Sequence, residues 1–378
     1  MAKTRHDRRR ERYNRERPDV KKSDIKKPNA KTLEVKKNET FYNLLVETHR
    51  ELKARNWTKA LRSAVKIIGL EGRADYQAGY KLAYSACKKL DDIKGMERYL
   101  KMALKAGVEV IYIAEELLDY FYTVQSYSEL EEFYNKTKLD PKLSFKGHIT
   151  MINYYGDIGN FDSAKEVYIR AMQQQQTTDN FNARSDINAS YISSVLEKKS
   201  EQELQNFIQH LKLTGQLTEK VLVIYLGTLY ARQNWTLLIE EYKKNRFQRA
   251  SETTLLYLNA LRKSRRYNQA LREAEEFTKT LHNGDPAKNW ALSIQGFCLT
   301  NLGRAAEAQV LFKKLIPNLD QIDTRYLWTI CGYIFTRPKL NPAEKQQFKQ
   351  ALTQQTIKAR NTSLRKDITD ALSILETL

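Results

Sequence analysis

A short pattern recurs along this chain at intervals near 35 residues, and no other feature of the sequence restricts its fold so strongly. It consists of a polar turn residue, often an aromatic, two further residues, and a small or apolar one. The copies read Asn56-Trp57-Thr58-Lys59-Ala60, Ser126-Tyr127-Ser128-Glu129-Leu130, Asn160-Phe161-Asp162-Ser163-Ala164, Asn234-Trp235-Thr236-Leu237-Leu238, Arg266-Tyr267-Asn268-Gln269-Ala270 and Arg304-Ala305-Ala306-Glu307-Ala308. Weaker copies centre on Gly95 and Leu204. Taking the last residue as an anchor gives positions 60, 95, 130, 164, 204, 238, 270 and 308, spaced by 35, 35, 34, 40, 34, 32 and 38. Four residues further on stand Ala64, Tyr99, Tyr134, Tyr168, Ile208, Tyr242, Ala274 and Phe312, five of the eight aromatic.

Such a period has a physical meaning. A two-helix hairpin with short turns takes about 34 residues and cannot cover its own apolar face, so successive hairpins must stack. A small residue at the anchor (Ala60, Gly95, Ala164, Ala270, Ala308) lets the second helix approach the first. The larger side chain one turn later (Tyr99, Tyr134, Tyr168, Tyr242, Phe312) fills the groove toward the neighbouring unit.

Each half of the unit carries helical periodicity. Tyr76, Tyr80, Ala83, Tyr84 and Cys87 mark one helix face, followed by Ile93, Met96, Leu100 and Ala103 on the next helix. Phe41, Leu44, Leu45 and Leu52 form a first helix, with Asn38 as its expected N-cap. Gly107, Pro141 and Asn283-Gly284-Asp285-Pro286 fall where units should join, and the polar run Gln173 to Asn182 accounts for the spacing of 40. Beyond the eighth anchor, Ile322 to Phe335 reads as another first helix. A helix with Pro342 in its first turn and a last helix over residues 361–376 follow. Only 14 Gly and 7 Pro in 378 residues, against the many turns an all-β chain requires, agree with an all-α reading.

The expected architecture is therefore an all-α solenoid of about eight to nine helix-turn-helix repeats. It comprises a disordered basic arm over residues 1–38, the array over 39–335, and an atypical last repeat with a capping helix over 336–378. The arm holds 15 Lys or Arg against 6 Asp or Glu and has no apolar periodicity to offset the entropy of ordering it.

Gly159 to Met172 resembles the second helix of a tetratricopeptide or pentatricopeptide repeat. Leu302-Gly303-Arg304-Ala305-Ala306-Glu307-Ala308 with Phe312 is similar to the tetratricopeptide form, including its Ala-x-x-x-Phe pair. The first-helix Gly of that motif occurs once at its offset, as Gly296. Ala83, Leu118, Ile152, Ile192, Leu226 and Leu258 replace it elsewhere. The resemblance implies a curved stack holding a peptide or helix of a partner, and its pentatricopeptide branch implies single-stranded RNA along the first helices. No repeated polar residue at one offset supplies a base-reading code.

Catalytic constellations are lacking. His6, His49, His148, His210 and His282 are isolated, with His148 expected to be partly exposed, and no phosphate-binding Gly-rich loop occurs. Glu115-Glu116, Glu131-Glu132 and Glu240-Glu241 read as solvated helical charges with partners at i,i+4. Cys87, Cys298 and Cys331 are odd in number and lie in apolar surroundings, which fits buried thiols in a reducing compartment. No apolar run reaches the length of a membrane span.

The functional expectation is a non-catalytic scaffold, without cofactor, metal or small-molecule substrate, that binds a protein partner. RNA binding assisted by the arm is the alternative. The candidate nucleic-acid contacts are Arg8, Arg9, Arg10, Arg12, Arg15, Arg17, Lys21, Lys22, Lys26 and Lys27 in the arm, with Arg262, Arg265 and Arg266 in the array. A cytoplasmic location is expected, with nucleus and mitochondrion as alternatives. Oligomeric state is left open.

Overall fold

The computed structural model describes residues 30–70, 77–176, 180–245, 251–316, 327–356 and 362–377. Residues 1–29, most of the expected arm, lie outside that set. Among the described residues the regular structure is entirely helical, in nineteen α-helices with two short 3-10 turns. The helices succeed one another as antiparallel pairs. They are α1 (Ala30–Lys53) with α2 (Trp57–Ile68), α3 (Gln77–Lys89) with α4 (Ile93–Lys105), α5 (Ala114–Thr123) with α6 (Tyr127–Thr137), and α7 (Phe145–Asp157) with α8 (Phe161–Gln176). Then come α9 (Phe181–Ser194) with α10 (Glu201–Leu213), α11 (Glu219–Ala231) with α12 (Trp235–Lys244), α13 (Ser251–Lys263) with α14 (Tyr267–Thr280), and α15 (Pro286–Asn301) with α16 (Ala305–Leu315). The chain ends in α17 (Leu327–Phe335), α18 (Pro342–Thr356) and α19 (Thr362–Thr377).

Two compact units divide the chain, residues 1–147 and 148–378. Each is a run of such hairpins with its own buried core. In the first, Ala64 and Ile67 of α2, Ala83 and Tyr84 of α3, and Met96, Leu100 and Ala103 of α4 belong to one apolar cluster. At the end of the second, Leu327, Ile330 and Cys331 of α17 pack with Phe348 and Leu352 of α18 and with Ile368, Ala371 and Leu375 of α19. The last helix is thus held by apolar burial on both members of the ninth pair.

The anchors fall at the fourth residue of seven of the eight second helices, and Ala60, Leu130, Ala164, Leu204, Leu238, Ala270 and Ala308 are all fully buried. Twelve residues before them stand Thr48, Leu118, Ile152, Ile192, Leu226, Leu258 and Gly296, also buried. One helix turn beyond, Tyr134 and Phe312 are buried while Tyr168 and Tyr242 are half-buried. Phe312 shows what that larger residue does. Its ring covers Gly296 of its own hairpin and Gly332 of the next, where an added Cβ would come within 2.5 and 2.6 Å of its Cζ.

The second repeat departs from the expected register. α4 starts at Ile93, so Met96 and not Gly95 occupies the fourth position, and Leu100 rather than Tyr99 follows a turn later. Gly95 is small for another reason: a Cβ there would meet the Asp92 carboxylate that caps the helix and the Cys87 Sγ on α3. The first helix differs too. It begins at Ala30, which places Asn38 inside α1 rather than at its cap; residues 31–37 hold good helix formers and no breaker. The Gln-rich run also extends α8 to Gln176, so part of the expected interruption is helical.

The turn inside each hairpin repeats as well. The residue just before the second-helix N-cap has positive φ in seven of the eight pairs. It is Gly159 or Gly303 in two, but Arg55, Asp91, Gln125, Gln233 and Arg265 in the others. The fifth pair turns differently, through a 3-10 segment and a capping box between Ser200 and Glu203.

Candidate functional site

The first helices of consecutive pairs are tied together by polar side chains one repeat apart. In the first unit, Lys81 of α3 meets Glu116 of α5 at 3.5 Å and Lys88 meets Asp119 at 2.5 Å. Tyr84 Oη donates to Asp119 at 2.7 Å, and Lys146 in the first turn of α7 pairs with Glu115 at 2.9 Å. Glu115 and Glu116 are therefore cross-repeat partners, not solvated charges with i,i+4 mates, because α5 is flanked by lysine-bearing helices on both sides. Burial pushes the Glu116 carboxyl up to about 7 against the opposing pull of Lys81. Its Oε2 has no hydrogen-bond partner among the described residues. Glu241 is also buried and accepts from Lys212 at 2.7 Å, while Glu240 pairs with Lys244 at i,i+4 as expected. Glu132 likewise pairs with Lys136 at i,i+4.

The second unit continues the scheme with shorter groups. Ser190 and Ser194 of α9 donate to Asn153 of α7, Ser185 meets Thr218 at 2.6 Å, and Lys220 of α11 pairs with Asp186 of α9 at 2.5 Å. Further on, Ser293 meets Thr329 at 2.8 Å between α15 and α17. Arg232, just past α11, donates to the carbonyls of Leu196, Glu197 and Lys199, closing the otherwise open end of the 3-10 turn after α9.

Where α9, α11 and the start of α13 face one another the surface opens into a cleft of about 690 Å³. Asn182, Ser185, Asp186, Thr218, Lys220 and Glu252 supply its polar lining. Phe181, Val223 and Ile224 supply the apolar part, and Phe181 is exposed. No spacing in the sequence announced these residues, since they do not repeat between units.

Arg262 is not a free surface cation. Its guanidinium lies 5.1 Å from the ring centroids of both Phe297 on α15 and Trp328 on α17, and its Nε donates to Asn259. Burial is the main influence lowering its pKa, opposed by Tyr230 and by Asp367 on α19. Arg265 and Arg266 are exposed, in the turn that starts α14. The ten arm residues from Arg8 to Lys27 lie outside the described residues, as does Tyr76.

Burial favours the neutral forms of the enclosed histidine and thiols. His148 is fully buried, not partly exposed, with Nε2 2.8 Å from Gln174 Oε1, and burial lowers its pKa. The three cysteines are buried free thiols, with Cys87 pushed up to about 11 and Cys298 to about 12 by desolvation. Among the described residues no group of three His, Cys, Asp or Glu could hold a metal ion, and no helix is long and apolar enough to cross a membrane.

No family model matches the sequence, and no curated protein matches it. Several solved structures are similar at low identity. The Cut9–Hcn1 hetero-tetramer of APC/C aligns over 88% of this chain and 72% of that one, with 14% identity and a TM-score of 0.34. Yeast Tom70 aligns over 90% and 96%, with 11% identity and a TM-score of 0.32. The TPR domain of P58(IPK) aligns over 89% and 98%, with 14% identity and a TM-score of 0.25. The hairpin arrangement described above rests on this chain's own contacts.

Proposed function

We propose that this chain is a non-catalytic helical-repeat scaffold that holds a segment of a protein partner against its first helices, in the cleft between α9, α11 and α13. The observation that carries this reading is the cleft itself: about 690 Å³ of open volume on stacked, mutually braced helices. Its walls offer side-chain hydrogen-bond groups and an exposed aromatic. The Ser185–Thr218 and Lys220–Asp186 contacts hold adjacent helices in fixed spacing, so the lining is organised before a partner arrives. Buried thiols fit an intracellular, reducing setting.

A photo-crosslinking amino acid at Val223, in the cleft, tests the reading in cells, with the same group at exposed Val310 on α16 as control. The scaffold reading expects one discrete adduct at Val223 that Val310 does not give, whose partner peptide then binds the purified chain and is lost in Val223→Arg. No adduct above the Val310 background would overturn it.

A further inference from the structure

The second helices of the first two hairpins carry a charge pattern that the scaffold reading does not use. α2 has Lys59, Arg62 and Lys66 and no acidic residue; α4 has Lys94, Arg98, Lys101 and Lys105 and a single acid, Glu97. All seven cations are exposed. At about 100° per residue the four on α4 fall within a sector of roughly 60°, directly opposite the buried Met96, Tyr99, Leu100 and Ala103. The three on α2 likewise share one sector, away from Ala60, Ser63, Ala64 and Ile67. Both helices pack on α3 within the first unit.

Little neutralises this surface. Glu97 pairs with Lys101, and Arg98 rests 4.8 Å over the Tyr99 ring. Lys59, Arg62, Lys66, Lys94 and Lys105 have no ion-pair partner among the described residues. The pattern is also local. α6, the next second helix, has Glu129, Glu131 and Glu132 against Lys136 alone. The chain enters α1 at Ala30 from residues 1–29, where 12 Lys or Arg, seven of them Arg, stand against 5 Asp or Glu.

We infer that the α2 and α4 stripes form a binding surface for the phosphodiester backbone of a nucleic acid. Cations along one helix edge suit a polymer of regularly spaced negative charges, and each contact releases counterions. An anionic bilayer would ask for apolar side chains among the cations. Here the exposed apolar side chains, Val65 on α2 and Ile93, Met102 and Leu104 on α4, flank the cation stripes rather than lie within them, and no exposed aromatic interrupts either one.

The test measures binding of the full chain to a fluorescent 20-nucleotide single-stranded RNA across a salt series, with single-stranded and duplex DNA of the same sequence as parallel arms. Two variants reverse the stripes, Lys59→Glu/Arg62→Glu/Lys66→Glu and Lys94→Glu/Lys101→Glu/Lys105→Glu, leaving Arg98 on its ring. Each removes three contacts and should reduce the slope of log K against log salt by about 2 in magnitude, at roughly 0.7 per contact for a single strand. Lys→Arg replacement at 94, 101 and 105, and Lys313→Glu/Lys314→Glu on α16, should keep the parent slope. Because the substitutions are exposed, unchanged circular dichroism checks the fold. Reversal variants with unaltered slope and affinity would overturn the inference. So would binding to vesicles of 70% phosphatidylcholine and 30% phosphatidylserine without binding to any nucleic acid.

Discussion

Replacing Gly296 by Ala would ordinarily strengthen a helix, by about 1 kcal/mol in an open position. Here the reverse is expected. The new Cβ would stand 2.5 Å from Phe312 Cζ and 2.7 Å from Cε1, in a ring that is fully buried and held edge-on by Phe297 at 5.4 Å. Overpacking of that kind costs about 1–3 kcal/mol, so the net effect should be a loss of about 1 kcal/mol. Gly332→Ala, which meets the same ring at 2.6 Å, should behave alike. Gly227→Ala on α11 has nothing within 4 Å of the added carbon and should stabilise by about 1 kcal/mol, as propensity alone dictates. Shortening the ring with Phe312→Leu makes room, and in that background Gly296→Ala should turn from a loss into a gain. A double-mutant cycle then reads a coupling of about 2 kcal/mol. Native-state hydrogen exchange on α15 and α17 amides is the assay, because it resolves local opening in a chain of two units. If Gly296→Ala stabilises the parent protein as much as Gly227→Ala does, Phe312 is not the inter-repeat plug described here.

Arg55→Gly, Gln125→Gly and Gln233→Gly relieve positive φ at the hairpin turns, and each should raise stability by about 0.5–1 kcal/mol in thermal unfolding; losses at all three would contradict the turn geometry. Glu116 takes up a proton in the folded state at about pH 7 but at the usual carboxylate value when unfolded, so its stabilising contribution is present at low pH and is lost as pH rises from about 4.5 to 7. Glu116→Gln should therefore stabilise the first unit by about 1–3 kcal/mol at pH 8 and hardly at pH 4, and an equal gain at both would refute the burial argument. Arg262→Gln removes the cation from between Phe297 and Trp328 and should cost about 1–2 kcal/mol, seen as altered Trp328 emission and faster exchange in α19; unchanged spectra and exchange would show that the arginine does not brace those helices.

What the sequence disclosed and what it hid follow from the range of the interactions involved. Small residues such as Ala164 and Ala308 answer to a helix in the same hairpin, about twelve residues away, and that constraint recurs identically, so it appears as a period. The second repeat slipped by one residue because Gly95 is small for its own reasons, beside the Asp92 cap and Cys87. Glu116, His148, Arg262 and the cleft residues depend on side chains one or more repeats away, which differ at each junction. Their burial is decided by neighbours that no periodicity announces. An acidic pair on a helix looks the same in sequence whether its partner is four residues along or a repeat distant.

That difference in range also separates the two faces of the first unit. Lys81, Lys88 and Lys146, on first helices, are each consumed by a carboxylate of α5, so these charges fix the spacing of adjacent hairpins and contribute little field outward. Lys59, Arg62, Lys66, Lys94 and Lys105, on second helices, form no ion pair among the described residues, although the Lys59 charge helps to lower the Glu51 carboxyl pKa. Side-chain repulsion along α4 is tolerable only because Met96, Tyr99, Leu100 and Ala103 bury its opposite face. The helix dipole favours Lys66 and Lys105 in the last turns, but Lys59, Arg62 and Lys94 lie nearer the opposite ends and suit an anionic partner, whereas the neutralised first helices can offer shape and hydrogen bonds. If both triple reversals raised stability yet left nucleic-acid affinity untouched, this division of labour would have no physical basis.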